Sequence, residues 1–259
     1  RSKSPARVAI RAALIVCGMQ ATLSRLAIQE KANPLHDGPV NLVDLGPIAQ
    51  LRAGRLGRRL PQLYVGLVAY GVSLAMMYRG DLGLAPWDVL HSGLVQHLPI
   101  TIGQAVVLCS FLVLLLWIPL REVPGLGTIS NALVVGFSAD ATLALLDEPE
   151  AMPLRIALML GGIVLCGLAT ALYIGAQLGR GPRDGLMTGL ARRTGRSIRL
   201  VRTGLEVTVV LIGVLLGGTI GVGTVLYALA IGPLAQLWLP AFTVDVGAAP
   251  DREADAALA

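Results

Sequence analysis

The sequence predicts an all-α polytopic membrane protein: about six transmembrane helices as two inverted three-span repeats, each with an extra short motif helix. Three observations lead there. The chain is 54% hydrophobic and only 14% charged, with a mean hydropathy of +0.71, whereas soluble domains carry about a quarter charged residues. Uncharged runs at residues 98–120, 156–179 and 207–244 meet or exceed the roughly 20 residues a helix needs to cross a bilayer. A twelve-residue motif, G-x-x-P-x-D-x-L-x-[ST]-G-L, occurs at residues 83–94 and again at 179–190. Keeping that 96-residue offset across 63–144 against 159–240 makes 23 of 82 pairs identical. Chance gives roughly 8–9% for such a composition, so the chain is a duplication.

Residues 1–60 form an N-terminal cytoplasmic segment, partly disordered or amphipathic. Its apolar run at 12–19 is too short to span and lacks the small-residue cleavage site of a signal peptide. Asn33-Pro34 and Asp37-Gly38-Pro39 are turn formers. Arg52, Arg55, Arg58 and Arg59 make a basic collar before the first span.

Repeat one occupies 61–147. Its spans are expected at 62–78, 98–120 and 125–146, with the motif helix from Pro86 to about Leu98. Proline suits the first turn of a helix, where its missing N–H costs nothing. Thirteen residues make roughly 20 Å, too short to cross alone. Repeat two occupies 155–242, with spans at 156–179, 203–216 and 219–242 and a motif helix from Pro182. The run 207–244 is about 57 Å as one helix, so it must fold back, most simply at Gly217-Gly218. A disordered C-terminal tail is expected at 243–259, Ala- and Asp-rich from Asp245.

Three spans per repeat put twelve arginines on the N-terminal side of the membrane and two, Arg79 and Arg155, on the other. Letting the motif helices span as well gives ten against four. The positive-inside rule therefore favours six spans with both termini cytoplasmic. An odd number of spans per copy inverts the second copy relative to the first. The net charge of +5 is accounted for by this topology and points to no nucleic acid.

The candidate substrate- or ion-binding residues are Asp88, Asp184, Asp140, Pro86, Pro182, Trp87, Arg183 and Glu206. Carboxylates in the first turn of a helix are favoured by its unpaired N–H groups, so Asp88 and Asp184 read as caps or as a site between two half-helices. Asp140 and Glu206 fall in apolar spans, where ionisable groups are costly and default to a functional reading. Glu206 also stands four residues from Arg202, an i,i+4 pair suited to a membrane edge. Trp87 fits an interfacial anchor as well. Asn131 and Gln104 read as helix ties, and the Gly-x-Gly-Thr runs at 125–128 and 221–224 as points of close helix contact.

His91 and His97 lack a third partner at ligand spacing, so no metal is expected. Cys17, Cys109 and Cys166 have no metal or disulfide spacing. With no Walker motif, no Ser/His/Asp arrangement and no redox pair, the chain reads as no enzyme and carries no cofactor.

The runs Tyr64-Val65-Gly66-Leu67, Gly83-Leu84-Ala85-Pro86-Trp87-Asp88-Val89-Leu90-His91, Leu115-Leu116-Trp117-Ile118-Pro119-Leu120, Pro124-Gly125-Leu126-Gly127-Thr128 and Gly221-Val222-Gly223-Thr224 resemble the YczE/YitT-type bacterial integral membrane proteins. The resemblance covers about residues 50–242. It implies a multi-pass protein of the bacterial plasma (inner) membrane and supplies no binding residues. The expected function is a small secondary transporter or exporter, with its site between the two motif helices. The alternative is a non-transporting scaffold or regulatory partner of a biosynthetic or envelope complex, docking through the arginines at 192–202. Expected partners are the lipid bilayer and a small molecule or ion. A homodimer is compatible with such a protein, but no residue argues for one.

Overall fold

A computed structural model describes residues 46–246. The expectations placed on residues 1–45 and 247–259 lie outside the described residues. Among those described, the elements are α1 (Pro47–Arg52), α2 (Leu56–Gly80), α3 (Pro86–Val95), α4 (Ile102–Leu120), α5 (Leu126–Leu145), α6 (Met152–Gly175), α7 (Pro182–Thr194), α8 (Ile198–Leu215) and α9 (Val222–Phe242). Five of them, α2, α4, α5, α6 and α9, are long and apolar enough to cross a membrane. The protein is a polytopic helical membrane protein. The helix α8 falls outside that group, since Arg199, Arg202 and Glu206 load its first half with charge.

The helix starts follow the sequence repeat. Leu56, Pro86, Ile102 and Leu126 open four helices of the first copy, and Met152, Pro182, Ile198 and Val222 open those of the second; each pair is 96 apart. The motif helices begin at proline in the first turn, as expected, after Ala85 and Gly181 in extended conformation. The first ends at Val95 rather than Leu98. Thr101 then opens α4 with a capping box: Gln104 N donates to Thr101 Oγ1 at 3.1 Å, and Thr101 N to Gln104 Oε1 at 3.0 Å. Gln104 is therefore a cap, not a tie between helices. The expected fold-back lies at Gly217, φ +82°, between α8 and α9.

The centre of the molecule is the antiparallel pair α2 and α6. A Cβ on Gly66 would meet Tyr173 N at 2.8 Å and Ala169 O at 3.2 Å, and one on Gly162 would meet Ser73 O at 2.9 Å and Met77 N at 3.3 Å. These contacts exchange under the same 96-residue offset, so the backbones touch twice about one internal pseudo-twofold axis. Close approach through small residues is how helices associate where lipid removes the hydrophobic drive.

The ends of this pair are sealed by arginines that repeat the rule. Arg59 is fully buried; it donates to Ala176 O at 2.8 Å and Gln177 O at 2.6 Å, the carbonyls closing α6. Arg155 donates to Gly80 O at 3.0 Å and Asp81 O at 3.1 Å, closing α2. Orphan carbonyls at a helix end accept such donors, and the dipole favours a cation there. Arg59 thus leaves the expected basic collar and points inward.

Each motif helix packs on the third helix of the other copy: α3 on α8, and α7 on α4. At the second contact the Trp117 ring fills the space a Cβ on Gly185 would need, and Trp117 Nε1 donates to Pro182 O at 2.9 Å. At the first contact the bulk is reversed, with Gly213 taking the backbone of Val89.

Two expected boundaries shift. Residues 47–60, assigned to the N-terminal segment, are largely helical, and α2 begins six residues before the predicted span. The tail starts with packed residues: Val244 and Val246 are buried, and Val244 N donates to Gly175 O at 3.0 Å.

Candidate functional site

Two loops aim the motif helices, and the Gly-x-Gly-Thr runs hold them. Gly127 N donates to Leu178 O at 2.6 Å, and Gly223 N donates to Leu82 O at 2.7 Å. Thr128 Oγ1 adds a bond to Arg180 O at 2.7 Å. Each run therefore fixes the entry to the other copy's motif helix. Gly83 and Gly179 sit there at φ +118° and +129°, a region costly for a residue with a Cβ. The close contact expected of these runs is present.

So positioned, the first turns of α3 and α7 open on one cavity of about 60 Å³. That is room for a handful of water molecules. Asp88, Asp184, Trp87, Arg183 and Pro182 line it, together with His91, Tyr70, Tyr173 and Asn131. The structure thereby brings together five of the eight candidate residues. Pro86 is buried at the first position of α3 and does not line the cavity.

The two aspartates are equivalent in sequence and differ in company. Asp88 is buried, and its Oδ1 lies 3.1 Å from His91 Nδ1, one turn along the same helix. Asp184 accepts from Tyr173 OH at 2.7 Å and stands 3.9 Å from Arg183 Nε. Arg183 in turn lies over the Tyr70 ring, 5.6 Å from its centroid. Tyr70 meets Tyr173 edge to face at 6.3 Å and 74°. Both carboxylates thus bond side chains of the cavity wall.

Asp140 and Glu206 lie elsewhere, with clear physical reasons. Asp140 accepts from Gly103 N at 2.8 Å and from Thr101 Oγ1, capping the start of α4 from α5. Glu206 pairs with Arg202 at 2.9 Å, the i,i+4 pair. Trp87 is half-buried at the cavity and packs near Val113, Trp117 and Leu186. His91, Tyr70 and Tyr173 were the residues missed. The i,i+3 spacing of Asp88 and His91 signalled the first. No feature of the sequence marked Tyr173, whose counterpart in the other copy is Met77.

The family model described as a family of unknown function, DUF6198, matches residues 57–240. The chain belongs to that family. An uncharacterized protein of Haemophilus influenzae is 41% identical over 177 residues, covering 68% of this chain and 81% of that protein. The uncharacterized membrane protein YczE of Bacillus subtilis is 33% identical over 180 residues, 68% of this chain and 83% of its own. The uncharacterized protein YyaS of the same organism is 26% identical over 180 residues, 68% and 90%. No solved structure matches. The YczE resemblance read from the motifs is thus confirmed, and the family match at residues 57–240 takes in every residue that lines the cavity.

Proposed function

We propose that this DUF6198 protein is a small secondary transporter of the bacterial inner membrane, built as an inverted repeat and not an enzyme. One observation carries this: the first turns of two duplicated short helices, one from each copy, meet at one cavity whose wall carries both motif aspartates, inside an apolar helical protein. Broken or short helices converging at a repeat interface are the construction that alternating-access carriers use for substrate and ion sites. Ionisable groups buried among such helices are retained for transport or proton work.

Six crossings are supported by the length of α8, 18 residues or about 27 Å. Its charged first turns would sit at the cytoplasmic interface and its apolar half within the bilayer. The antiparallel α2 and α6 then cross in opposite senses, which is the inversion, and both termini are cytoplasmic. The scaffold alternative loses part of its docking surface. Arg192 bonds Glu122 at 2.9 Å, and Arg193 bonds Pro119 O, so both serve the packing of α7 on α4.

The test is a thermal-shift screen of the purified protein in detergent against metabolites and cations, followed by flux of any hit in proteoliposomes. A stabilising ligand is expected whose effect and flux disappear in Asp88→Asn and in Asp184→Asn, while both variants stay folded and abundant. Variants that melt early and a screen without hits would return the aspartates to a structural role and sink the transporter.

A further inference from the structure

We infer that the cavity takes a monovalent organic ammonium cation and releases it in exchange for a proton held between Asp88 and His91. This rests on the carrier function proposed above and names the substrate class and coupling ion of the same site.

The charge count comes first. The acidic and basic side chains lining it are Asp88, Asp184, Arg183 and His91. With a neutral imidazole that is two carboxylates against one fixed cation. Among apolar helices an uncompensated charge is expensive, so the cavity asks for one more positive charge. A proton on the Asp88–His91 pair supplies it. So does a ligand cation. Both together would leave the cavity one positive charge in excess, so the two occupants exclude each other. That mutual exclusion is electroneutral exchange. The ionisable groups facing the pair from other helices are Tyr70, Cys109, Tyr173, Arg183 and Asp184, and none of them adds a second fixed cation.

The aromatic lining identifies the cation. The whole chain has only five Tyr, three Trp and three Phe, yet Tyr70, Trp87 and Tyr173 all line this one small space. Ring faces attract ammonium and guanidinium groups within about 6 Å of the centroid. The structure already displays this, since the Arg183 guanidinium lies 5.6 Å from the Tyr70 centroid. Arg183 is the chain's own occupant of an aromatic, acidic cage, paired with Asp184 at 3.9 Å. A ligand ammonium enters beside it, toward Asp88. The size of the cavity suits a compact alkylammonium headgroup.

The experiment titrates the purified full-length protein calorimetrically with methylammonium and tetramethylammonium, and with acetate as the anionic probe, across mildly acidic to mildly alkaline pH. Both cations are expected to bind and acetate is not. Their apparent Kd should rise about tenfold per pH unit on acidification, as one proton competes for one site. Asp88→Asn should abolish binding of both cations, His91→Gln should remove that pH dependence, Trp87→Ala should weaken binding about tenfold, and Arg183→Gln should tighten it. Acetate binding that Arg183→Gln abolishes, without cation binding, overturns the ammonium class and leaves the carrier standing. No cation binding by a protein that melts normally also overturns it. Proteoliposomes loaded with tetramethylammonium separate the two ideas. Binding with the stated pH dependence but no proton-driven flux keeps the ammonium site and sinks the carrier.

Discussion

Arg59 and Arg155 occupy equivalent positions in the two copies and make the same kind of bond, yet they differ in what surrounds them. Arg59 is fully buried and also donates to Gln50 O at 2.7 Å and Gly54 O at 3.2 Å, so four carbonyls depend on one guanidinium. Arg155 has a side chain 24% exposed, and its partner Asp81 is 52% exposed. Water can replace a donor at the second site and not at the first. Arg59→Met is therefore expected to cost about 3 kcal/mol or more, and Arg155→Met under about 1 kcal/mol. Thermal unfolding of the two variants in detergent checks this; equal losses would contradict the difference in burial. The equivalence of the two arginines was open to reading, since 59 and 155 are also 96 apart, but it lies just outside the stretch where the copies align most clearly. Their partners are backbone carbonyls, which any sequence supplies, so only the fold reveals them.

At the scale of elements, Asp140 and Asp88 show why a carboxylate in an apolar run is ambiguous. Both are acidic residues in helical surroundings, and the sequence assigns both to a site. Asp140 spends both oxygens on the first turn of α4, at Thr101 and Gly103, where a helix start leaves its N–H groups unpaired. Asp88 bonds a histidine on its own helix inside the cavity. The difference lies in partners that α4 brings from 37 and 39 residues away, a distance at which spacing carries no information. Asp140→Asn is expected to lower stability by about 1–2 kcal/mol while leaving ligand binding in the cavity unchanged; Asp88→Asn should do the reverse. Paired melting curves and titrations of the two variants decide it, and loss of binding in Asp140→Asn with an unaltered melt would restore it to the site. The motif helices, by contrast, were legible to the residue at their starts, because proline fixes the first turn. Their ends were not, since nothing at 95–98 stops a helix as firmly as Thr101 starts the next.

For the whole molecule, the 96-residue repeat disclosed two equivalent units but not which surfaces meet. Identity between copies marks what is shared, whereas the interface lives partly in what differs: Trp117 against Gly185 on one side of the axis, Gly213 against Val89 on the other. Such complementarity between unequal copies is visible only once the helices are placed. The same placement divides the loops into two ends. Gly83 meets Gly221 and Arg155 meets Asp81 at one end; Gly179 meets Gly125 and Arg192 meets Glu122 at the other. If the copies are inverted across a bilayer, these ends face opposite compartments. Single cysteines at Glu148 and Arg196, both exposed, in a background with the three native cysteines replaced by serine, test this in intact cells. The site at Glu148 should react with an impermeant maleimide from outside, and the site at Arg196 only after the membrane is opened. Labelling of both from outside would require an even number of crossings between them. The inverted arrangement, with α6 as the sole full crossing between the two positions and α7 returning to its own side, demands that they differ, whereas a second crossing by α7 would place them together.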